Sequence, residues 1–486
     1  MRIKSINEKL IDKISSNHEN NKLIRNALVK NSIYSVALSP NNQIKNTFNF
    51  SIDINTLPAV DQKMSGRCWI YAATNLIREN IAKNLHLDNF ELSQSYLAFW
   101  DKFERCNFFL ESIISLIDKP TDDRHLQFIL QTGIQDGGQW DMVVNVIEKY
   151  GIVPKSVMPD SYNAANTNSI NNIINWKLRE YAKKVRTCGL SNDGLHNLKE
   201  DMLKEIYKIL TRVYGPIPKT FDFEYTIKKY ESIDDTNYNL PINQKLNKVV
   251  DKNLTPLSFY EKYVDEKLSD FVSIIHAPQS SKPFNQSYTF EYLNNVIGGK
   301  PILHYNLDLN LFKYLVINSL NTNVPVWFGS DVGWYGNMPN GYWDDSSFDL
   351  DIFNINFEVN KGDMLTYRIS AMTHAMLLTG VDCDLNKLND LNEFLNNSEN
   401  VSLHEFNSKV VNLDTRKWKI ENSWGEQIGN KGYFVCSDSW FDKFVYQAVI
   451  KKDHLIEIFN KLKMSDVLET KPIILEPWDP IGTLAK

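Results

Sequence analysis

The reading of the chain turns on Asp61-Gln62-Lys63-Met64-Ser65-Gly66-Arg67-Cys68-Trp69 and on the apolar segment Ile70 to Asn80 that continues it. Trp69, Ala72, Ala73, Leu76 and Ile77 recur at helical spacing. A helix is therefore expected here, with Cys68 in its first turn and the sulfur beside backbone N–H groups that the helix leaves unpaired. Those groups and the helix dipole favour thiolate over thiol. Gln62, six residues before Cys68, offers a side-chain amide that can stabilise the oxyanion of an acyl-transfer step. A buried structural thiol is the competing reading of any single cysteine.

Working outward, 486 residues can bury a large core and are expected to divide into two or three packed units. The 43% apolar and 23% charged fractions are those of a soluble globular protein. A net charge of −6 gives no general attraction to polyanions, which leaves nucleic-acid binding doubtful. Cys68, Cys106, Cys188, Cys383 and Cys436 form no C-x-x-C pair, so neither a disulfide framework nor a zinc site is expected, and reduced thiols point to the cytoplasm. Residues 1–30 carry no apolar run of signal-peptide length, and no later stretch approaches a membrane span. Signatures of serine hydrolases, P-loop NTPases, zinc peptidases and dinucleotide enzymes are absent, so no metal and no cofactor is expected.

Residues 1–35 read as one or two loosely amphipathic helices leading to an extended segment, Phe48 to Val60. Ser93 or Ser95 is placed to cap a helix running past Trp100 and Phe109. Asp136-Gly137-Gly138-Gln139-Trp140 then interrupts the helical pattern, as a tight turn or as a bare backbone edge. Residues 160–270 read mostly as helices whose lysines are matched by acids, a solvated face rather than a nucleic-acid surface. Strand-like runs take over at Phe271 to Ile275, Pro301 to Leu307 and Val324 to Phe328. Two more carry chemistry: Met372 to Val381, with His374 at its polar start, and Trp418 to Glu426, containing Asn422 and Trp424. A thiolate needs an imidazole to take its proton and return it to a leaving amine, and the imidazole needs an amide oxygen to fix its tautomer. His374 and Asn422 supply these, in the chain order Cys, His, Asn.

Gly66, Cys68 and Trp69 resemble the papain-like signature of a Gly two before the nucleophile and an aromatic after it, with Ser65 where secreted members carry a disulfide cysteine. Together with the His374 and Asn422 stretches, and with 91–101, 136–155, 296–300, 325–333 and 476–485, the chain resembles the bleomycin hydrolase or aminopeptidase C family of papain-like cysteine peptidases over nearly its whole length. The resemblance implies an α+β, papain-like two-domain fold with a large helical insertion. Residues 1–60 would pack on the core, 61–159 form the helical subdomain, and 160–270 the insertion. Residues 271–470 would form the sheet subdomain, and 471–486 an arm in the cleft. About 306 residues separate Cys68 from His374, against about 130 to 150 in the papain type, which leaves room for that insertion.

By the same resemblance Cys68 is the nucleophile, His374 the general acid-base, Asn422 its orienter and Gln62 the oxyanion donor. Trp69 and Trp424 support the site, the latter shielding the His374–Asn422 bond from water. Gly137 and Gly138 offer an edge to substrate. The arm, Glu476 to Lys486, would end at Ala485 after self-removal of Lys486 and restrict the cleft to peptides with a free N-terminus. A homohexamer with inward-facing sites is implied as well. Ser330, Trp334 and a polar insert at 385–414, expected as a surface loop, depart from the family pattern. An endopeptidase with an open cleft, and a silent nucleic-acid-binding or scaffold homologue, stand as alternatives.

Overall fold

The computed structural model describes residues 5–16, 21–40, 46–229 and 245–486. The nucleophile helix, Cys68–Leu85, is buried along almost its full circumference, which its run of apolar and small residues permits, and it stops where His86 takes a left-handed conformation at φ 55°. The helices Gln94–Ser115 and Trp140–Tyr150 pack around it, the first capped by the Ser93 side chain, which accepts from the Tyr96 N–H. Outside these lie Asn168–Thr187 and Asn192–Tyr214. Their buried residues, Ile170, Ile174, Leu178 and Val185 on one and Leu195, Met202, Ile206 and Leu210 on the other, recur at helical spacing and pack on Gln94–Ser115.

Residues 160–270 are not helical throughout. Phe221–Lys229 and Lys245–Leu254 pair as an antiparallel hairpin, and Phe223 packs edge-on against Phe90, Phe259 and Tyr263. Alternating Phe221, Phe223 and Tyr225 form a strand face, a period-2 signal hidden inside a lysine-rich stretch. Ile170, Leu178, Leu210 and Phe223 also belong to one continuous core with Cys68, Trp69 and Leu97, so the inserted region is fused to the helical half rather than standing apart from it.

The sheet begins at Phe271–Ile275. Its centre runs Phe271–Ile275, Val445–Lys451, Val326–Ser330, His374–Asp382, Lys417–Glu421 and Tyr433–Ser437, each antiparallel to the next. Both faces are covered. Ala375 and Leu377 turn toward the nucleophile helix, while Met376 and Leu378 turn to a second core with the helix Leu309–Asn321. The 385–414 insert is not a loop: Leu385–Asn397 and Leu403–Val411 are helices that bury Leu388, Leu391, Leu395, Phe406 and Val410 in that second core. Their leucines at three- and four-residue spacing outweigh the polar composition that suggested a surface loop.

Candidate active site

Cys68 is the first residue of its helix and fully buried. The loop before it is braced from below by Arg67, whose guanidinium donates to Ser65 Oγ at 2.9 Å and to Asp160 at 3.1 Å. Nearby backbone amides of Ala375, Trp69 and Cys68 itself pull the thiol's pKa down. Burial nevertheless pushes the thiol up to about 12, against the pull of those amides. The expectation of a thiol made acidic by its helix terminus is thus corrected: a few N–H groups do not offset the loss of water around a sulfur covered on all sides.

His374 opens its strand, and its Nε2 meets Asn422 Oδ1 at 3.0 Å. An amide oxygen only accepts, so Nε2 carries the proton and Nδ1 is left with the free lone pair. Burial lowers the imidazole to about 4, with the Asn422 bond acting the other way. Leu377 pairs with Glu421 across the sheet, and counting on in that register sets Trp424 opposite His374. The two rings stack at 4.8 Å and 27°. The His374 strand packs on the nucleophile helix, and Ala375 shares one buried core with Cys68.

Gln62 is buried beside them, its Nε2 donating to Ser65 O at 2.7 Å and its Oε1 accepting from Ser423 Oγ at 2.7 Å. With the oxygen engaged and the nitrogen fixed, one amide hydrogen remains for a ligand oxygen. Gly137 and Gly138 are occupied by the chain's own end. The Gly138 N–H donates to Ala485 O at 2.9 Å, the Ala485 N–H to Gly138 O at 3.1 Å, and Gln139 Nε2 to Thr483 O at 2.7 Å. The Lys486 N–H donates to Thr373 O at 3.0 Å. A Cβ on Gly138 would lie 2.4 Å from the Trp69 ring, so that edge is closed to any side chain.

Several residues of the site carried no signal in the sequence. Asp136 accepts from the Gly66 N–H at 3.2 Å and from Asn171 at 2.9 Å, and also bonds Lys102 and Thr167. Burial would raise its carboxyl, but the Lys102 ammonium and these donors hold it well below the usual carboxylate range. It thereby fixes the nucleophile loop, the Gly137–Gly138 edge and an inserted helix to one another. Glu421 is buried next to Asn422, paired with Arg78 at 3.0 Å and bonded by Asn75 at 2.8 Å. Both partners belong to the nucleophile helix. Only burial distinguishes these charged residues from any others. Among the described residues no group of three or more His, Cys, Asp or Glu side chains could hold a metal ion, and no helix is long and apolar enough to cross a membrane.

Residues 3–401 and 393–482 match the Peptidase C1-like family. The chain belongs to that family. It is 40% identical over 489 residues to Aminopeptidase C of Lactobacillus helveticus, covering 99% of each chain. It is 35% identical over 453 residues to human bleomycin hydrolase, covering 91% of this chain and 89% of that one. The crystal structure of PepW from Lactobacillus rhamnosis HN001 superposes with a TM-score of 0.86 at 40% identity, covering 99% of each chain. A Peptidase C1-like chain with this α+β architecture has the papain-like fold expected from its motifs.

Proposed function

We propose that this protein is a cysteine aminopeptidase, removing N-terminal residues from peptides through a thioester acyl-enzyme. The observation that supports the reading is the strand-like seating of Thr483 to Lys486 along Gly138, Gln139 and Thr373, with Lys486 beside Gly66 of the nucleophile loop. On the Trp424 side a hollow bounded by Asp61, Met64, Ala165 and Asn166 stays open for the rest of a peptide. A cleft closed on one side accepts chain ends better than chain interiors.

In the mechanism this supports, Cys68 transfers its proton to Nδ1 of His374 as it attacks the substrate carbonyl. Burial favours the neutral forms of both groups, so the proton passes as the sulfur attacks rather than beforehand. The free hydrogen on Gln62 Nε2 and the Cys68 N–H receive the oxyanion. His374 then protonates the leaving amine, and water, deprotonated by the same ring, releases the acyl group. Asn422 and the Trp424 ring hold the imidazole in place throughout.

In the seated arm Lys486 lies beside Gly66 of the nucleophile loop. Self-removal of Lys486 would leave the Ala485 carboxylate to face a substrate ammonium. Five free cysteines, four of them buried, support a reducing cytoplasmic setting, and exposed Ile173 and Trp176 on the inserted helix support self-association, for which a hexamer is the proposal. The test compares one fluorogenic peptide with its N-acetylated form, before and after deletion of residues 483–486. Free-amino cleavage should dominate in the intact enzyme, and the deletion should shift the ratio toward the blocked peptide by about tenfold. An unchanged ratio would defeat the role of the arm, while mass spectrometry of active and Cys68→Ala protein tests the loss of Lys486 separately.

A further inference from the structure

Asp331 follows the strand Val326–Ser330, whose last residue pairs with His374. It is 5% exposed. Its carboxylate accepts from the Gly333 N–H at 3.1 Å, the Ser370 hydroxyl at 2.7 Å and the Thr373 hydroxyl at 3.2 Å. All three donors are neutral, and among the described residues no lysine, arginine or histidine is ion-paired with it. Lys361 lies beyond, over the Tyr446 ring, and directs its amine to the carbonyls of Asp442 and Val445. Neighbouring Tyr446 adds only a hydroxyl, donated to Ser370 at 2.7 Å.

A carboxylate buried without a cation is unfavourable, and such groups persist where something else supplies the counter-charge. Thr373 joins this one to the cleft. Its hydroxyl faces Asp331, while its carbonyl accepts the Lys486 N–H at 3.0 Å, the nitrogen of the residue seated beside the nucleophile loop. In a substrate of the aminopeptidase proposed above, on which this inference rests, that nitrogen is a free ammonium. We propose that Asp331 is a specificity-determining residue whose charge, set one residue behind the Thr373 carbonyl, selects substrates that bring a cation to that carbonyl. The carbonyl supplies the hydrogen bond, and Asp331 supplies the preference for charge. It does so once Lys486 has left that carbonyl free, because Asp331 belongs to the sheet and not to the arm.

A purely structural Asp331 would tie down residues 370–373 and nothing more, and the two roles separate by charge. The test measures KM and kcat for an aminoacyl fluorogenic amide and for its α-hydroxy analogue, which keeps a donor for Thr373 O but loses the positive charge. The intact enzyme should favour the amine through KM. Asp331→Asn should raise KM for the amine about tenfold, leave the hydroxy analogue within twofold, and leave kcat for both nearly unchanged. Ser370→Ala, which loses one bond to the carboxylate but keeps its charge, should retain the amine preference. Asp331→Ser is a second uncharged variant and must move the ratio in the same direction, with thermal unfolding recorded for each. Equal losses on both substrates, or a preference that survives in both uncharged variants, overturns the assignment to Asp331 alone. Absence of any amine preference in the intact enzyme overturns the aminopeptidase reading instead.

Discussion

The nucleophile helix meets the sheet at two places that differ in kind. At its first residue Cys68 lies against the start of the His374 strand, and both groups are driven toward their uncharged forms by burial. Farther along the same stripe, Asn75 and Arg78 meet Glu421, and there the side chains form an ion pair with no exposed surface to speak of. Burial raises the Glu421 carboxyl while Arg78 opposes it. The contrast teaches how one rigid element serves two demands. The two groups that must exchange a proton are not themselves ion-paired, and the alignment of the two halves is entrusted to a pair that never has to change state.

The largest effect that would break this comparison falls at the first contact. Cys68→Ala and His374→Ala should each abolish turnover, since neither the nucleophile nor the proton acceptor has a substitute. Substantial activity in correctly folded Cys68→Ala would remove the chemical meaning of that contact. At the second contact, Arg78→Met should destabilise the protein by about 3–5 kcal/mol by stranding a buried carboxylate, and the double change Arg78→Met with Glu421→Leu should recover much of it. Urea unfolding of the three proteins is the measurement, and a harmless single change would show the pair to be idle.

The imidazole sharpens the comparison in a different way. Its pKa is about 4 folded against 6.5 unfolded, so below 6.5 the unfolded chain binds a proton that the folded one refuses. Stability should therefore fall as pH drops from 6.5 to about 4, by about 3 kcal/mol from this group, with no further loss from it at lower pH. His374→Ala should flatten that part of the pH profile of urea unfolding. An identical slope in both proteins would mean that the ring is hydrated. Asn422→Ala completes the series with a fall in kcat of about 10- to 100-fold, smaller than for His374→Ala because the base remains but is loosely held. Equal, complete loss from both changes would erase the division between base and orienter.

Much of the site could be read from the chain because its chemistry restricts residue type. A cysteine at a helix start, a histidine at the polar start of an apolar strand and an asparagine before Ser423-Trp424-Gly425 are each unusual enough to be noticed together. Gln62 and the glycine pair were legible for the same reason. Asp136, Arg78, Glu421 and Asp331 were not, because a charged residue reveals its role only once it is known to be buried, and burial here is created by contacts far apart in sequence. The hairpin inside 160–270 was obscured by lysines on the solvent side of a strand. The two helices at 385–414 were written plainly enough in Leu388, Leu391 and Leu395, but asparagines and acids drew attention to the exposed face. The acidity expected of Cys68 failed for a related reason: helix termini are visible in a sequence, whereas the depth of desolvation is not.

The fit of Gly138 against Trp69 has a historical side. A Cβ at 138 would fall 2.4 Å from the indole. No substitution at that position can become established while the tryptophan stands, and shrinking the tryptophan first would open a void next to the nucleophile. Each change is disfavoured until the other has occurred. A laboratory lineage that aims to reshape this edge would have to change both in a single step.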